Sequence, residues 1–268
     1  MSRAYDARAI LTVVAARSPK DTFITVYGRK PVLEALGDPR LTVDKVIVAD
    51  NARGESLRTI LDAAGRGGVP VQRASAHRVK VLAGNGRHDQ GVLADVVAPR
   101  MTPLADYLDA LDPGAAAALL VLDRVTNPAN VGMVLRSATA AGLDGVLLPR
   151  RGSPAIDPLV IKASAGVAFH APVLRAATAE EGCAALRAAG ITVLGLDAGG
   201  PSLLDADLPD RLALVLGNET EGLSALVRAE LDGTVAIPLH GGVESLNVAS
   251  AAAVASYELL RRRTAAGG

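Results

Sequence analysis

In the second half of the chain, short unbroken apolar runs alternate with stretches of helical spacing. Residues 119–122, 145–148, 192–196, 213–216 and 235–237 read as buried strands. Residues 131–141 and 179–189, closed by Gly142 and Gly190, read as helices, as do 224–231, capped by Ser224, and the long Ala-rich 247–262. This alternation predicts an α/β domain over 117–268, with a parallel sheet covered by helices. The front half carries a smaller α/β pattern over 22–98, with helices at 32–36 and 56–64 and strands at 45–49 and 91–97. Pro99, Pro103 and Pro113 punctuate 99–116, which reads as an interdomain linker containing a short helical piece. Residues 1–21 read as an N-terminal arm, because Ile10, Leu11 and Val14 share one helical face between Arg8 and Arg17.

Composition narrows what such domains can do. Aromatic residues make up only 2% of the chain, so base-stacking platforms are not expected. The single cysteine, Cys183, excludes an internal disulfide and a four-cysteine zinc site. His77, His88, His170 and His240 lack metal-ligand spacing, so no metal is expected. The longest apolar run, 115–122, is too short to cross a bilayer, and a reducing, cytoplasmic setting with no membrane partner is expected. The formal net charge of zero conceals a division. Residues 1–100 hold 16 Lys and Arg against 10 Asp and Glu, and the remainder hold 12 against 18. A basic front half suits a polyanion, although an evenly solvated surface would give the same count.

Three polar loops follow predicted strands of the larger domain. In an open α/β sheet, ligands bind beyond the carboxyl ends of the strands. The first loop is Asn127-Pro128-Ala129-Asn130-Val131-Gly132, with Arg136 behind it. Asn130 is placed to cap the next helix, and Arg136, under two turns further on, stays near the crevice; a plain cap and an ion-paired arginine would fit equally well. The second is Gly217-Asn218-Glu219-Thr220-Glu221-Gly222, whose glycines let the main chain approach a ligand closely. It lacks the spacing of a dinucleotide loop and the lysine of a Walker loop. Its carboxylates repel phosphate and suit a ligand with positive charge or hydrogen-bond donors, such as S-adenosylmethionine. The third runs from Ile237-Pro238-Leu239 to Ser245-Leu246-Asn247, where Asn247 can also serve as a simple helix cap. The basic run Arg261-Arg262-Arg263 complements the dipole of the last helix.

In this order, the three loops closely resemble the motifs of SpoU-type, TrmH-like RNA 2′-O-ribose methyltransferases of the SPOUT superfamily, over about 119–262. The segment from Val26-Tyr27-Gly28-Arg29-Lys30 to Leu36 resembles the opening of the L30e-like substrate-binding domain found ahead of many such enzymes. Arg87-His88-Asp89-Gln90-Gly91 resembles its closing His-Gln-Gly segment, with Asp89 inserted. The resemblance implies a deep trefoil knot from about 214 to the last helix, and a homodimer. The last helix, with small Ala249, Ala252, Ala253 and Ser256, is a candidate interface, unless these residues pack within the subunit. It implies S-adenosylmethionine held by Leu216, Gly217, Asn218, Gly222, Ile237, Leu239, Ser245 and Leu246. The catalytic set it implies is Arg136 with Asn130, Glu219, Ser245 and Asn247, and the RNA contacts are Arg29, Lys30, Arg87 and Arg136.

The reaction implied is methyl transfer to a ribose 2′-hydroxyl of RNA, with 23S rRNA as the leading substrate. A tRNA enzyme, an antibiotic-resistance rRNA enzyme and a catalytically inactive RNA-binding protein are the alternatives. An arginine holds its proton at any working pH, so it serves poorly as a general base. The reading preferred here keeps Arg136 charged against a phosphate or developing alkoxide, with another group or water taking the proton.

Overall fold

The computed structural model describes residues 21–84 and 89–266. The expected N-terminal arm, apart from Asp21, lies outside the described residues, as do Arg87 and His88. The chain divides into two compact units, Met1–Pro99 with Ile156–Pro158, and Arg100–Ala155 with Leu159–Gly268.

The front unit runs β1 (Phe23–Tyr27), α1 (Arg29–Gly37), β2 (Val43–Ala49), α2 (Glu55–Arg66), β3 (Val71–Ala74), α3 (Ala76–Leu82) and β4 (Val92–Val97). Its sheet has the order β1-β4-β2-β3, with β4 antiparallel to both neighbours and β2 parallel to β3. Val46, Val48, Val92, Ala94 and Val96 form its core with Leu57, Ile60 and Ala64, which recur at helical spacing along α2. β3 and α3 are not legible in the apolar pattern, because Val71, Gln72 and Arg73 are exposed and α3 buries only Val79.

The second unit contains β5 (Thr102–Pro103), α4 (Leu104–Ala110), β6 (Ala117–Leu122), α5 (Pro128–Ala140), β7 (Gly145–Leu147), α6 (Pro158–Ala163), β8 (Val173–Arg175), α7 (Ala179–Ala188), β9 (Thr192–Leu196), β10 (Arg211–Leu216), α8 (Ala225–Arg228), β11 (Gly233–Val235) and α9 (Val248–Ala266). Its seven strands are ordered β11-β9-β10-β6-β7-β8-β5, and every pair is parallel. All six residues of β6 are buried, which is why this strand reads as a continuous apolar run. Leu119 and Val121 pack with Ala179, Cys183 and Leu186 of α7 and Val227 of α8. Burial pushes the Cys183 thiol up to about 12, as befits a core side chain. Residues 99–116, expected as a linker with a short helical piece, contain that helix as α4 and also the strand β5. β5 pairs with β8, and Leu104 enters the core.

α9 packs on α5 and β10. Of its small residues, Ala249, Ala252 and Ser256 are buried within the subunit and Ala253 is half-buried. The basic run on α9 makes specific bonds beyond the dipole. Arg261 and Arg262 both pair with the buried Glu258, holding its carboxyl below the ordinary value, and Arg263 pairs with Asp144. Arg262 also donates to the carbonyls of Leu203, Leu204 and Ala206, strapping the loop before β10 to the helix. That loop hydrogen-bonds on its other side to Ala236, through Pro201 O and Leu203 N–H at 2.7 Å each.

Gly132 marks a close contact between α5 and α6. A Cβ there would lie 2.5 Å from Val160 O and 2.7 Å from Ala163 Cβ. Because one obstacle is main chain, α5 cannot keep its seat against α6 with a larger residue. Gly132→Ala is expected to cost about 1–3 kcal/mol in urea unfolding, a typical overpacking penalty; an unchanged midpoint would show that α6 yields freely.

Candidate active site

Four strands of the parallel sheet deliver charged or amide side chains at their carboxyl ends. β6 leads into Asp123, which is buried and accepts the Ser224 N–H at 2.6 Å. Arg124 follows in the left-handed region, at φ 55°. Its guanidinium pairs with Glu221 and donates to Gly222 O at 3.3 Å, while its own carbonyl accepts from Asn218 Nδ2 at 3.0 Å. The loop after β6 is thus fastened to the loop after β10.

The loop after β10 is stiff. Asn218 and Gly222 exchange two main-chain hydrogen bonds of 3.0 and 2.9 Å, and Asn218 Oδ1 accepts from the N–H groups of Thr220 and Glu221. Gly217 sits so close that a Cβ would lie 2.4 Å from Gly222 C, and Gly222 adopts φ 66°. Only glycine serves at both positions. The exposed tip of this loop carries Glu219.

Asn127, not Asn130, caps α5. Its Oδ1 accepts the Ala129 N–H at 2.9 Å, with Pro128 at the first helical position. Asn130 therefore lies inside the first turn, 5% exposed, and its amide is free for other work. It donates through Nδ2 to Glu219 and accepts through Oδ1 from Asn247 Nδ2 at 3.2 Å. Asn247 in turn caps α9, accepting from Ala249 N–H at 2.9 Å and Ser250 N–H at 3.4 Å. One chain of hydrogen bonds, Glu219–Asn130–Asn247, joins all three expected loops.

Other expected residues fall outside that chain. Arg136 is exposed on α5 and makes no hydrogen bond or ion pair among the described residues. Six helical residues advance about 9 Å and turn the side chain about 120° from Asn130, so proximity along the sequence did not bring the two together. Ser245 and Leu246 are exposed, Ile237 and Leu239 half-buried, and Leu216 buried at the end of β10. Among the described residues, the main-chain N–H groups of Ile237, Leu239 and Leu246 donate to no protein acceptor.

Of the expected RNA contacts in the front unit, Arg29 and Lys30 lie among the described residues. The Arg29 guanidinium donates to Ser56 Oγ and Arg53 O at 2.7 Å each and to Gln90 O at 3.4 Å. These bonds tie α1 to the neighbouring loops. Gln90, at φ 51°, also accepts the Arg29 N–H through Oε1, and Asp89 accepts the Gly91 N–H at 2.7 Å. The inserted Asp89 thus builds the closing turn. Lys30 is fully solvated, 3.9 Å from Glu34.

Sequence reasoning missed Asp123, Arg124, Asp197 and Arg228. Asp197, just past β9, is held below the ordinary carboxylate value by the Gly199 N–H and then by Arg228, 2.6 Å away. Asp123 and Asp197 each follow an apolar strand directly, and that signal was available.

Comparison with known proteins agrees with both units. The SpoU rRNA Methylase family matches residues 117–257, and the family described as RNA 2′-O ribose methyltransferase substrate binding matches 25–102. The chain is 36% identical over 241 residues to the 23S rRNA (guanosine-2′-O-)-methyltransferase RlmB of Xylella fastidiosa, covering 89% of this chain and 96% of the relative. It is 34% identical to an uncharacterized tRNA/rRNA methyltransferase of Synechocystis, covering 89% of this chain but 62% of that longer protein. Among solved structures, the SpoU methyltransferase AviRb of Streptomyces viridochromogenes, in complex with AdoMet, superposes with a TM-score of 0.61 at 27% identity, covering 97% of this chain and 98% of that one.

The polarity of the hydrogen-bond chain can be tested by replacing its middle amide. Asn130→Asp sets a carboxyl against Glu219, which raises its pKa by like-charge repulsion. A carboxyl raised on folding leaves stability intact below its unfolded pKa and removes it as pH rises toward the folded one. Urea unfolding should therefore show the variant close to wild type near pH 4 and about 1–3 kcal/mol weaker at pH 8. A pH-independent difference would disprove the contact with Glu219.

Proposed function

The chain belongs to the SpoU rRNA methylase family and is an S-adenosylmethionine-dependent RNA 2′-O-ribose methyltransferase; from that premise we propose that it methylates a guanosine ribose of 23S rRNA. The observation that carries this reading is the Glu219–Asn130–Asn247 chain, which gathers the three motif loops at one edge of the sheet. Similarity to the Xylella enzyme over nearly the full length of both chains supports the choice of rRNA.

The loops fit the methyl donor chemically. Unpaired N–H groups of Ile237, Leu239 and Leu246 suit the acceptors of an adenine or a carboxylate, and Gly217 keeps the main chain free of side-chain bulk. The Glu219 carboxylate and Asn218 stand in the loop that would face the donor's cationic groups. Leu216, Gly222 and Ser245 complete the proposed pocket. When bound, S-adenosylmethionine supplies an electrophilic methyl group.

The protein's task is to align the hydroxyl and to manage its charge. Glu219, Asn130 and Asn247 fix the loops, and Ser245 offers a hydroxyl beside them. Arg136 stays charged and grips the RNA phosphate or the developing alkoxide, while water or another group takes the proton. Its exposure and lack of partners among the described residues support a role toward RNA or toward a second copy's site.

A homodimer is part of this proposal. Met133 on α5 and Val254 and Tyr257 on α9 are exposed, on two helices packed against each other. We also propose that the chain is knotted and that it works in the cytoplasm. The return from β11 at the sheet edge to α9 against α5, with loop 201–206 strapped to both Ala236 and Arg262, supports the knot. Among the described residues, no helix is long and apolar enough to cross a membrane.

Radiolabelled S-adenosylmethionine offered with deproteinised 23S rRNA, 16S rRNA and tRNA separately tests the function. Alkali-resistant label should enter 23S rRNA at one guanosine. Arg136→Ala should fall by roughly 10²–10³ in turnover, on the scale of losing one charge-stabilising donor. Arg136→Lys should retain part of that if a point charge suffices. Label entering tRNA alone would refute the substrate assignment. In sedimentation, the wild type should run as a dimer and Tyr257→Glu as a monomer; a monomeric wild type would remove the dimer from the proposal.

A further inference from the structure

The front unit contains an open cleft of about 620 Å³ between the end of β2 and the start of α2. Leu57 and Leu61 of α2 line it, with Arg53, Arg58 and Arg73 and a single carboxylate, Asp50. Elsewhere, arginines tend to pair with acids: Arg40 with Asp38, Arg187 with Asp232, Arg228 with Asp197 and Arg261 with Glu258. None of the three cleft arginines has a carboxylate partner among the described residues.

Two of them are nonetheless held in place. Arg53 Nη1 donates to Asp50 O at 2.6 Å and Ala52 O at 2.7 Å, and Arg73 Nη1 lies 3.5 Å from Ala49 O. Main-chain carbonyls orient a guanidinium without cancelling its charge, and each fork keeps further N–H donors free. Arg58 is exposed and makes no side-chain bond among the described residues. Three arginines against one carboxylate leave this cleft with uncompensated, partly preorganised charge.

We propose that this cleft grips the phosphate backbone of an unpaired stretch of the substrate RNA, with a base or ribose resting on Leu57 and Leu61. The proposal rests on the RNA methyltransferase reading and names where the front unit holds that RNA. Guanidinium groups match phosphate geometry in a bidentate way. An apolar floor inside a cleft is reachable by a splayed nucleotide, whereas a base-paired duplex keeps its bases stacked inside.

The test uses the full chain with Arg58→Glu and Arg73→Glu, which break no short hydrogen bond; S-adenosylmethionine binding and the unfolding midpoint report on folding. Filter binding to deproteinised 23S rRNA should weaken in the double variant. The salt slope should fall by about 1.4, equivalent to a roughly sevenfold smaller loss of affinity between 50 and 200 mM salt. Poly-uridine should compete for the wild type better than an RNA duplex, and that preference should disappear in the variant. Unchanged affinity and slope in a variant that still folds would overturn the cleft while leaving the methyltransferase reading intact. Equal competition by duplex and poly-uridine would overturn the assignment to unpaired RNA. A wild-type chain that binds no RNA would overturn both.

Discussion

A carboxylate can only accept hydrogen bonds, and this asymmetry at Glu219 orders the edge of the parallel sheet. Facing Glu219, Asn130 must present its amide N–H, which leaves its carbonyl to Asn247. Asn247 must then donate through Nδ2, and its remaining carbonyl is left to cap α9. Each amide orientation follows from the one before. Loops from β10, β6 and β11 are thereby held in one arrangement by side chains whose polarity admits no alternative pattern. The long last helix begins at the end of that chain, so the site and the helix are positioned together.

A second fastening works beside the first. Asp123 and Arg124, at the end of β6, engage Ser224, Glu221 and Gly222 in the loop after β10, and Asn218 returns a bond to Arg124 O. These contacts leave Glu219 projecting from a loop with little freedom of its own, as a pre-organised site requires. Arg136 contrasts with this. It is unpaired among the described residues and solvent-facing, which suits a group whose partner is brought by the substrate or by a second subunit. In the front unit, Arg29 and Arg53 are oriented by carbonyls and a hydroxyl, and Arg58 and Arg73 are held by no short bond, so all four keep uncompensated charge among the described residues.

Much of this was legible in the sequence, for reasons that differ by residue. The buried strands β6 and β10 announce themselves as apolar runs because both of their faces are covered. Gly217 and Gly222 stand out because only glycine tolerates such close main-chain approach and left-handed backbone. Asn130, Glu219 and Asn247 were legible as residue types at strand ends, and the structure brings those three together. Some short elements were not legible. β5, β8 and β3 are two to four residues long and each includes a polar or proline residue, so no apolar run marks them, and the prolines near β5 suggested a linker.

What the sequence determined by itself is local: which stretches must be buried, where strands end in polar loops, and where only glycine can stand. Tertiary structure decided the rest. It made Asn127 the cap and released Asn130 for Glu219, because two asparagines three residues apart compete for one helix terminus and only the fold selects between them. It tied Arg29 to Ser56, Arg53 and Gln90 and left the cleft arginines without a carboxylate partner among the described residues, because a guanidinium's role depends on which carbonyls and carboxylates come within about 3 Å of it. Those neighbours lie as many as 61 positions away in the chain for Arg29, and no spacing along the sequence encodes them.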